Sequence, residues 1–109
     1  MKVTALFAAA AAVFAFSMPA SAAPDADAAN KALKDNGCTK CHSVDKSKKG
    51  PAYQKVAAKY KGKADAQQKL EQFLTTSPKV KLDDGSEDEH KALKDKGAMG
   101  NFIKWVLSL

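Results

Sequence analysis

The sequence contains no arginine, only two cysteines and no long apolar run. With so few cysteines, the fold is not a scaffold held together by several disulfides. The longest apolar stretch, residues 3–16, is shorter than the roughly 20 residues that a membrane-spanning helix needs. Alternation of apolar and polar residues, which is typical of strands, is confined to residues 79–82. These absences favour a small, mostly helical domain.

The amino-terminal stretch has the organisation of a cleaved secretory signal. Lys2 supplies a positive charge, residues 3–16 form the apolar segment, and Ala20-Ser21-Ala22 gives the small-residue cleavage pattern. We therefore expect residues 1–22 to be a signal peptide and residues 23–109 to be one exported domain. An uncleaved anchor is the alternative, because a proline at position 24 follows the cleavage site closely.

Both cysteines fall in one short motif, Cys38-Thr39-Lys40-Cys41-His42. This C-x-x-C-H spacing is typical of covalent attachment of c-type haem. Two thiols one helical turn apart can join the two vinyl groups on one porphyrin edge, and the next residue can bind iron as the proximal ligand. A thioredoxin-like dithiol would need a βαβ pattern, and a zinc site would need a fourth ligand for which only His90 is available. The motif predicts one covalent haem c with His42 on its iron.

Helical periodicity and capping signals predict an all-α domain of four to five helices. The first helix is capped by Asp25 or Asp27 and ends at Gly37. Ser86 begins an S-x-x-E capping pattern, which predicts a short helix from Glu87 to about Lys96 that Gly97 ends. The remaining helices are predicted at residues 51–61, 64–75 and 98–107.

The chain resembles a short bacterial class I cytochrome c, a family of small periplasmic electron carriers. The resemblance is carried by residues 33–42, by Gly50-Pro51-Ala52-Tyr53 with residues 56–60, and by the terminal residues 104–108. It implies a helical fold in which the first and last helices cross, with Leu33 near Trp105. It also implies that the Pro51 carbonyl accepts a hydrogen bond from the His42 ring, and that Tyr53 and Trp105 belong to the haem-binding residues.

The sequence departs from this family at the sixth iron ligand. The family places a methionine followed by proline before the last helix, and residues 23–109 contain no such pair. His90 and Met99 are the remaining histidine and methionine of that region. Met99 falls in helical register with apolar residues of the last helix, as a core residue does. We therefore expect His90 to be the sixth ligand, with Met99 as the alternative and a vacant or labile position as the third possibility.

These observations predict a periplasmic carrier of single electrons that is not an enzyme. A haem protein with an open or displaceable sixth position, acting as a gas binder or a peroxidase-like protein, is the alternative. Lysines concentrated around the haem motif predict acidic redox proteins as donor and acceptor. We expect no nucleic acid partner, no stable membrane insertion after signal cleavage, and a monomer.

Overall fold

The computed structural model describes residues 23–109, so the predicted leader, residues 1–22, lies outside the described residues. The described chain forms four α-helices and one two-stranded antiparallel sheet, which confirms the predicted helical class. A single 3₁₀ turn at Cys38–Lys40 carries the haem motif. In chain order the elements are α1 (Ala26–Asp35), α2 (Tyr53–Tyr60), α3 (Ala66–Thr76), β1 (Lys79–Lys81), β2 (Glu87–Glu89) and α4 (Lys96–Leu107).

Helix α1 begins and ends where its capping residues predict. The carboxylate of Asp25 accepts a hydrogen bond from the Ala28 backbone N–H at 3.0 Å, so Asp25 is the cap. Gly37 follows the helix in the left-handed conformation with a φ of 68°, where a side chain would be unfavourable. The chain therefore leaves α1 directly into the haem motif.

Helices α2 and α3 lie within two residues of their predicted limits. Helix α2 begins at Tyr53 because Ala52 keeps an extended conformation after the proline. Gly62 ends this segment with a φ of 75°. Helix α3 ends at Thr76, and Ser77 adopts the left-handed conformation with a φ of 47°. These turns bring the chain into the hairpin.

The helix predicted from Glu87 to Lys96 is wrong, because β2 and an irregular segment occupy these residues. The expected cap does not form. Instead, the Ser86 hydroxyl donates to the Asp84 carboxylate at 2.5 Å, and the Glu89 backbone N–H donates to the Asp88 carboxylate. Because Ser86 and its neighbours complete a turn, the S-x-x-E pattern does not begin a helix here.

The two strands pair lysines against glutamates. Lys79 lies opposite Glu89, and Lys81 lies opposite Glu87. Opposite charges facing each other across strands stabilise an antiparallel pair. Residues 79–82 were expected to be extended, although one short run does not by itself make a sheet. The partner strand comes from the segment that was wrongly predicted as helix.

Helix α4 begins at Lys96, so Gly97 lies inside its first turn rather than ending an earlier helix. The Asp95 carboxylate accepts from the backbone N–H groups of Gly97 and Ala98 at 2.9 and 3.2 Å. This cap defines the start of the last helix. None of the helices in residues 23–109 has the length and apolar character that crossing a bilayer requires.

The core forms where α1 and α4 pack together, as the resemblance implies. Asn101 of α4 strengthens this contact through a reciprocal pair of hydrogen bonds with the backbone of Asp25, at 2.7 and 2.9 Å. The buried cluster draws on α1, α2, α4 and the segment before α4: Ala29, Ala32, Leu33, Tyr53, Leu93, Met99, Phe102, Ile103, Trp105 and Val106.

Candidate functional site

The His42 imidazole is held by the backbone of the following loop. Its Nδ1 lies 2.6 Å from the carbonyl oxygen of Pro51. A carbonyl oxygen can only accept, so Nδ1 carries the hydrogen and Nε2 is the free ring nitrogen. This contact is the one that the resemblance implies. It fixes the tautomer and orientation of the ring, as a carbonyl does behind a metal-binding histidine.

Gly50, the residue before Pro51, also lies against the His42 ring. A Cβ at position 50 would lie 2.7 Å from Cε1 of His42 and 3.1 Å from each ring nitrogen. The Gly50 backbone N–H also donates to the Cys41 carbonyl at 2.8 Å, which closes the loop after the haem motif. Glycine is required at this position because the imidazole occupies the space of a side chain.

Tyr53 connects the His42 ring to the core. The two rings stack with their centroids 4.8 Å apart and their planes 19° apart. The other side of Tyr53 meets Phe102 and Trp105 edge-on, with centroids 6.0 and 6.1 Å away. Burial, with a smaller effect of the neighbouring Cys38, raises the pKa of the Tyr53 phenol, so it stays protonated at neutral pH. Tyr53 therefore acts here as an aromatic support.

Cys38 and Cys41 lie at the two ends of the 3₁₀ turn, and both thiols are free and half-buried. Cys38 packs against the core cluster. Burial raises the pKa of its thiol, and a hydrogen bond with Tyr53 and the Lys91 ammonium oppose that effect. The two thiols and His42 are thus presented together at the edge of the core, the arrangement that a thioether-linked haem needs.

The structure brings His90 to the His42 ring. The centroids of the two imidazoles are 6.0 Å apart and their planes are tilted by 53°. Nδ1 of His90 lies 2.9 Å from the Lys91 carbonyl oxygen, so this ring too has Nε2 as its free nitrogen. Phe73 of α3 contacts the ring in a T-shaped arrangement at 4.7 Å.

The surroundings of His90 favour the neutral ring. Burial lowers the pKa of its imidazole, and the nearby His42 adds a smaller effect in the same direction. The hydrogen bond to the Lys91 carbonyl opposes this lowering. A neutral imidazole is the form that can bind a metal.

Met99 and Trp105 are both residues of α4 that lie in the hydrophobic core. The Met99 side chain is 2% exposed and packs in the same cluster as Phe102 and Ile103, as its helical register predicts. Trp105 contacts Tyr53 and Phe102, and so lies one residue removed from the His42 ring. Of the two candidates for the sixth ligand, His90 has its ring beside that of His42, whereas Met99 packs in the core cluster.

Sequence analysis missed two features of this site. Gly50 was recognised as part of the Gly50-Pro51-Ala52-Tyr53 motif, but its close approach to His42 was not foreseen. Phe73 was grouped with the apolar residues of α3, and its contact with His90 was not foreseen either. The glycine next to the proline is a local signal that could have been used. Phe73 gives no such signal, because its partner lies 17 residues further along the chain.

The sequence around this site also matches a known protein family. A sequence model of the cytochrome c family matches residues 26–104, which includes the haem motif, both imidazoles and most of α4. The chain belongs to the cytochrome c family. As a cytochrome c it carries haem c, bound covalently and containing iron, and Cys38 and Cys41 are the two cysteines available for that bond. The thiols, the neighbouring His42 and its carbonyl-bound Nδ1 fit such a group.

Two curated cytochromes c are similar in sequence. Cytochrome c-551 of Pseudomonas aeruginosa is 35% identical over 83 residues, which cover 70% of this chain and 71% of that protein. Cytochrome c-551 of Allochromatium vinosum is 52% identical over 48 residues, which cover 44% of this chain. The match spans 51% of the Allochromatium protein, about half of its length.

Solved structures have the same fold. The class 1 cytochrome MtoD from Sideroxydans lithotrophicus ES-1 superposes with a TM-score of 0.76 at 48% identity, and the match covers 79% of this chain and 97% of that one. Cytochrome c552 of Nitrosomonas europaea superposes with a TM-score of 0.59 over 73% of this chain. At 24% identity, the second likeness concerns the fold alone. The family and the fold implied by the sequence resemblance are therefore confirmed.

Proposed function

We propose that this cytochrome is a periplasmic carrier of single electrons whose haem is attached through Cys38 and Cys41 and whose iron is bound by His42 and His90. The observation that carries the proposal is the pair of neighbouring imidazoles, whose centroids are 6.0 Å apart. In both rings Nδ1 is engaged by a backbone carbonyl, which leaves both Nε2 atoms for a metal.

The spacing of the two rings supports a shared ion. When each imidazole nitrogen lies about 2.0 to 2.1 Å from a metal, two rings on opposite sides of that metal have their centroids about 6 Å apart. The Pro51 and Lys91 carbonyls then act behind the ligands, fixing each ring and increasing its basicity. These two carbonyl groups belong to separate loops of the chain.

Met99 is the weaker candidate because its side chain belongs to the core. Moving it to the iron would empty a buried position beside Phe102 and Ile103. Emptying a buried position of this size costs about 2 to 5 kcal/mol in cores. His90 is not part of that core cluster, and its ring already lies beside His42.

The bound haem supplies the one-electron couple of its iron. The residues of the chain orient the two axial imidazoles, and Phe73 and Tyr53 cover them with apolar surface. If His42 and His90 both bound the iron, no open position would remain for a substrate, which is why we propose a carrier and not an enzyme. Methionine ligation raises the potential of a c-type haem, so a second imidazole should give a lower potential than in His/Met relatives.

Absorption and magnetic resonance spectra of the purified holoprotein test the axial pair. We expect a low-spin ferric haem without the weak red band of a methionine sulfur bond. His90→Ala should give a high-spin haem that binds carbon monoxide readily when reduced. Met99→Leu, the matched control, should stay low-spin. A high-spin Met99→Leu protein together with a low-spin His90→Ala protein would assign the sixth position to Met99 and refute the proposal.

The same proposal includes acidic redox partners. Four exposed lysines, at positions 40, 46, 48 and 49, flank the haem motif. The ion pairs described within residues 23–109 join Lys31 to Asp35 and Lys69 to Asp65, so none of the four takes part in them. Lys49 also lies beside the acidic hairpin, since its carbonyl accepts from the Asp83 N–H at 3.3 Å. We propose these four lysines as the source of the attraction to an acidic partner.

Small redox probes of opposite charge can measure this attraction. Ferricyanide, an anion, should oxidise the reduced protein at a rate that falls steeply with added salt. A cationic cobalt complex serves as the control and should respond less, or in the opposite direction. Salt-independent oxidation by ferricyanide would leave the lysines as a hydrated surface without a steering role.

A further inference from the structure

The distal imidazole lies in a segment with no regular structure of its own. Residues 90–95 connect β2 to α4 without forming a helix or strand. Residues 83–89 before it are all exposed, so they provide no packing surface for the His90 ring. The restraints on His90 must therefore come from its own backbone and from another element.

The end of α3 and the residues just after it provide those restraints. The Leu93 backbone N–H donates to the Leu74 carbonyl at 3.1 Å, and the His90 N–H donates to the Pro78 carbonyl at 2.9 Å. These two bonds place the segment, yet neither acts on the imidazole. The ring itself is contacted by Phe73 at 4.7 Å between centroids, with the planes at 62°.

This contact is well suited to fix an orientation. Two aromatic rings attract most strongly when the electropositive edge of one meets the electronegative face of the other, so rotation of either ring weakens the contact. The carbonyl of Lys91 restrains the ring through Nδ1 alone. Phe73 adds the second restraint that a planar ligand needs, and its apolar ring excludes water from one side of the imidazole.

We infer that Phe73 is a positioning residue for the sixth ligand, keeping the His90 ring tilted at 53° to the His42 ring and keeping the distal side of the haem closed. The inference rests on the proposed His42 and His90 ligation. Phe73 acts through His90, so its loss should change how often the distal imidazole leaves the iron while the haem remains attached.

Carbon monoxide binding to the reduced holoprotein measures that opening, because the gas can bind only after His90 has left. Phe73→Leu keeps an apolar side chain but removes the ring. We expect the association rate to rise about three- to tenfold in this variant, the effect of losing one aromatic contact. The ferric electron paramagnetic resonance spectrum should change as well, because its anisotropy reports the angle between axial imidazole planes.

Two further variants separate positioning from general stability. Leu70→Ala removes a partly buried side chain from the same helix, about one turn earlier, and should leave the spectrum and the gas-binding rate near those of the parent. Phe73→Tyr keeps the aromatic ring, so its spectrum and its gas-binding rate should match those of the parent. Equal effects of Phe73→Leu and Leu70→Ala, or no effect of Phe73→Leu, would overturn the inference.

His90→Ala distinguishes this failure from failure of the proposed function. If His90→Ala opens the iron and Phe73→Leu does not, only the role of Phe73 is refuted. If His90→Ala leaves the iron low-spin, the axial pair itself is wrong and the role of Phe73 fails with it.

Discussion

The two imidazoles of this cytochrome are positioned in different ways. His42 is fixed by neighbours in the same stretch of chain, namely Pro51 through a hydrogen bond, Gly50 through close approach and Tyr53 through stacking. His90 lies in an irregular segment and depends on α3 for the contact that orients its ring. The proximal side is therefore a local structure, whereas the distal side exists only once the fold has formed.

This difference indicates which side opens more easily. Segments with few buried contacts and no regular structure open at lower free energy than packed elements. We expect ligand exchange to occur on the His90 side while the His42 side stays intact. Substitutions on the two sides should therefore differ in their effects.

Removal of both thiols should have the largest effect. In Cys38→Ala with Cys41→Ala, we expect no haem peroxidase staining on a denaturing gel, because no covalent bond to the chain can form. The protein should also lose most of its helical circular dichroism, since so small a domain has a marginal core without haem. Staining that survives in the double variant would contradict covalent attachment.

Removal of the Leu93 side chain, which joins the segment carrying His90 to the core, should have the second largest effect. Leu93 is 5% exposed and belongs to the core cluster, so Leu93→Ala should lower the free energy of unfolding by about 2 to 5 kcal/mol in a urea titration. Carbon monoxide should bind faster to this variant. Leu109→Ala is the control, because that side chain is exposed and its loss should change stability by less than about 0.5 kcal/mol. Unchanged gas binding in Leu93→Ala would mean that the distal segment holds His90 independently of the core.

Crowding of the proximal ring should have a moderate effect. Gly50→Ala places a methyl group where the His42 ring lies, so it should lower the free energy of unfolding by about 1 to 3 kcal/mol and shift the absorption spectrum. Gly100→Ala adds the same group in open space within α4 and should instead stabilise the protein by about 0.5 to 1 kcal/mol. Equal effects of the two substitutions would show that His42 moves aside freely.

Removal of a charged side chain from the hairpin should have the smallest effect on stability. Lys81→Gln removes one partner of an exposed cross-strand pair with Glu87, which should cost about 0.2 to 1 kcal/mol. The absorption spectrum and the gas-binding rate should not change, because the side chains of Lys81 and Glu87 are both exposed. An altered axial spectrum in Lys81→Gln would show that the hairpin takes part in positioning the distal ligand.

The same contrast explains how much of the molecule could be predicted from its sequence. The proximal side was largely predictable, because Cys38, Cys41, His42 and Pro51 lie in short motifs whose chemistry depends on spacing. Asp25 and Gly37 likewise marked the ends of α1 through local backbone requirements. Such features need no knowledge of the rest of the chain.

The distal side was predicted only in part. His90 was chosen by elimination among possible ligands, whereas its contact with Phe73 requires the path of the chain from α3 through the hairpin. That path was obscured by the S-x-x-E pattern at Ser86, which predicts a helix locally and fails because residues 79–81 offer a paired strand. A cross-strand partner outweighed a local capping signal.

The reciprocal hydrogen bonds between Asp25 and Asn101 have a consequence for how the molecule is made. They join residues 76 positions apart, and the two helices that carry them form the centre of the core. Contacts between distant parts of a chain form late, because closing a long loop costs conformational entropy before any contact compensates for it. The chain should therefore stay largely unfolded until its last helix has been synthesised, and a product truncated before Asn101 should be degraded instead of reaching the folded state.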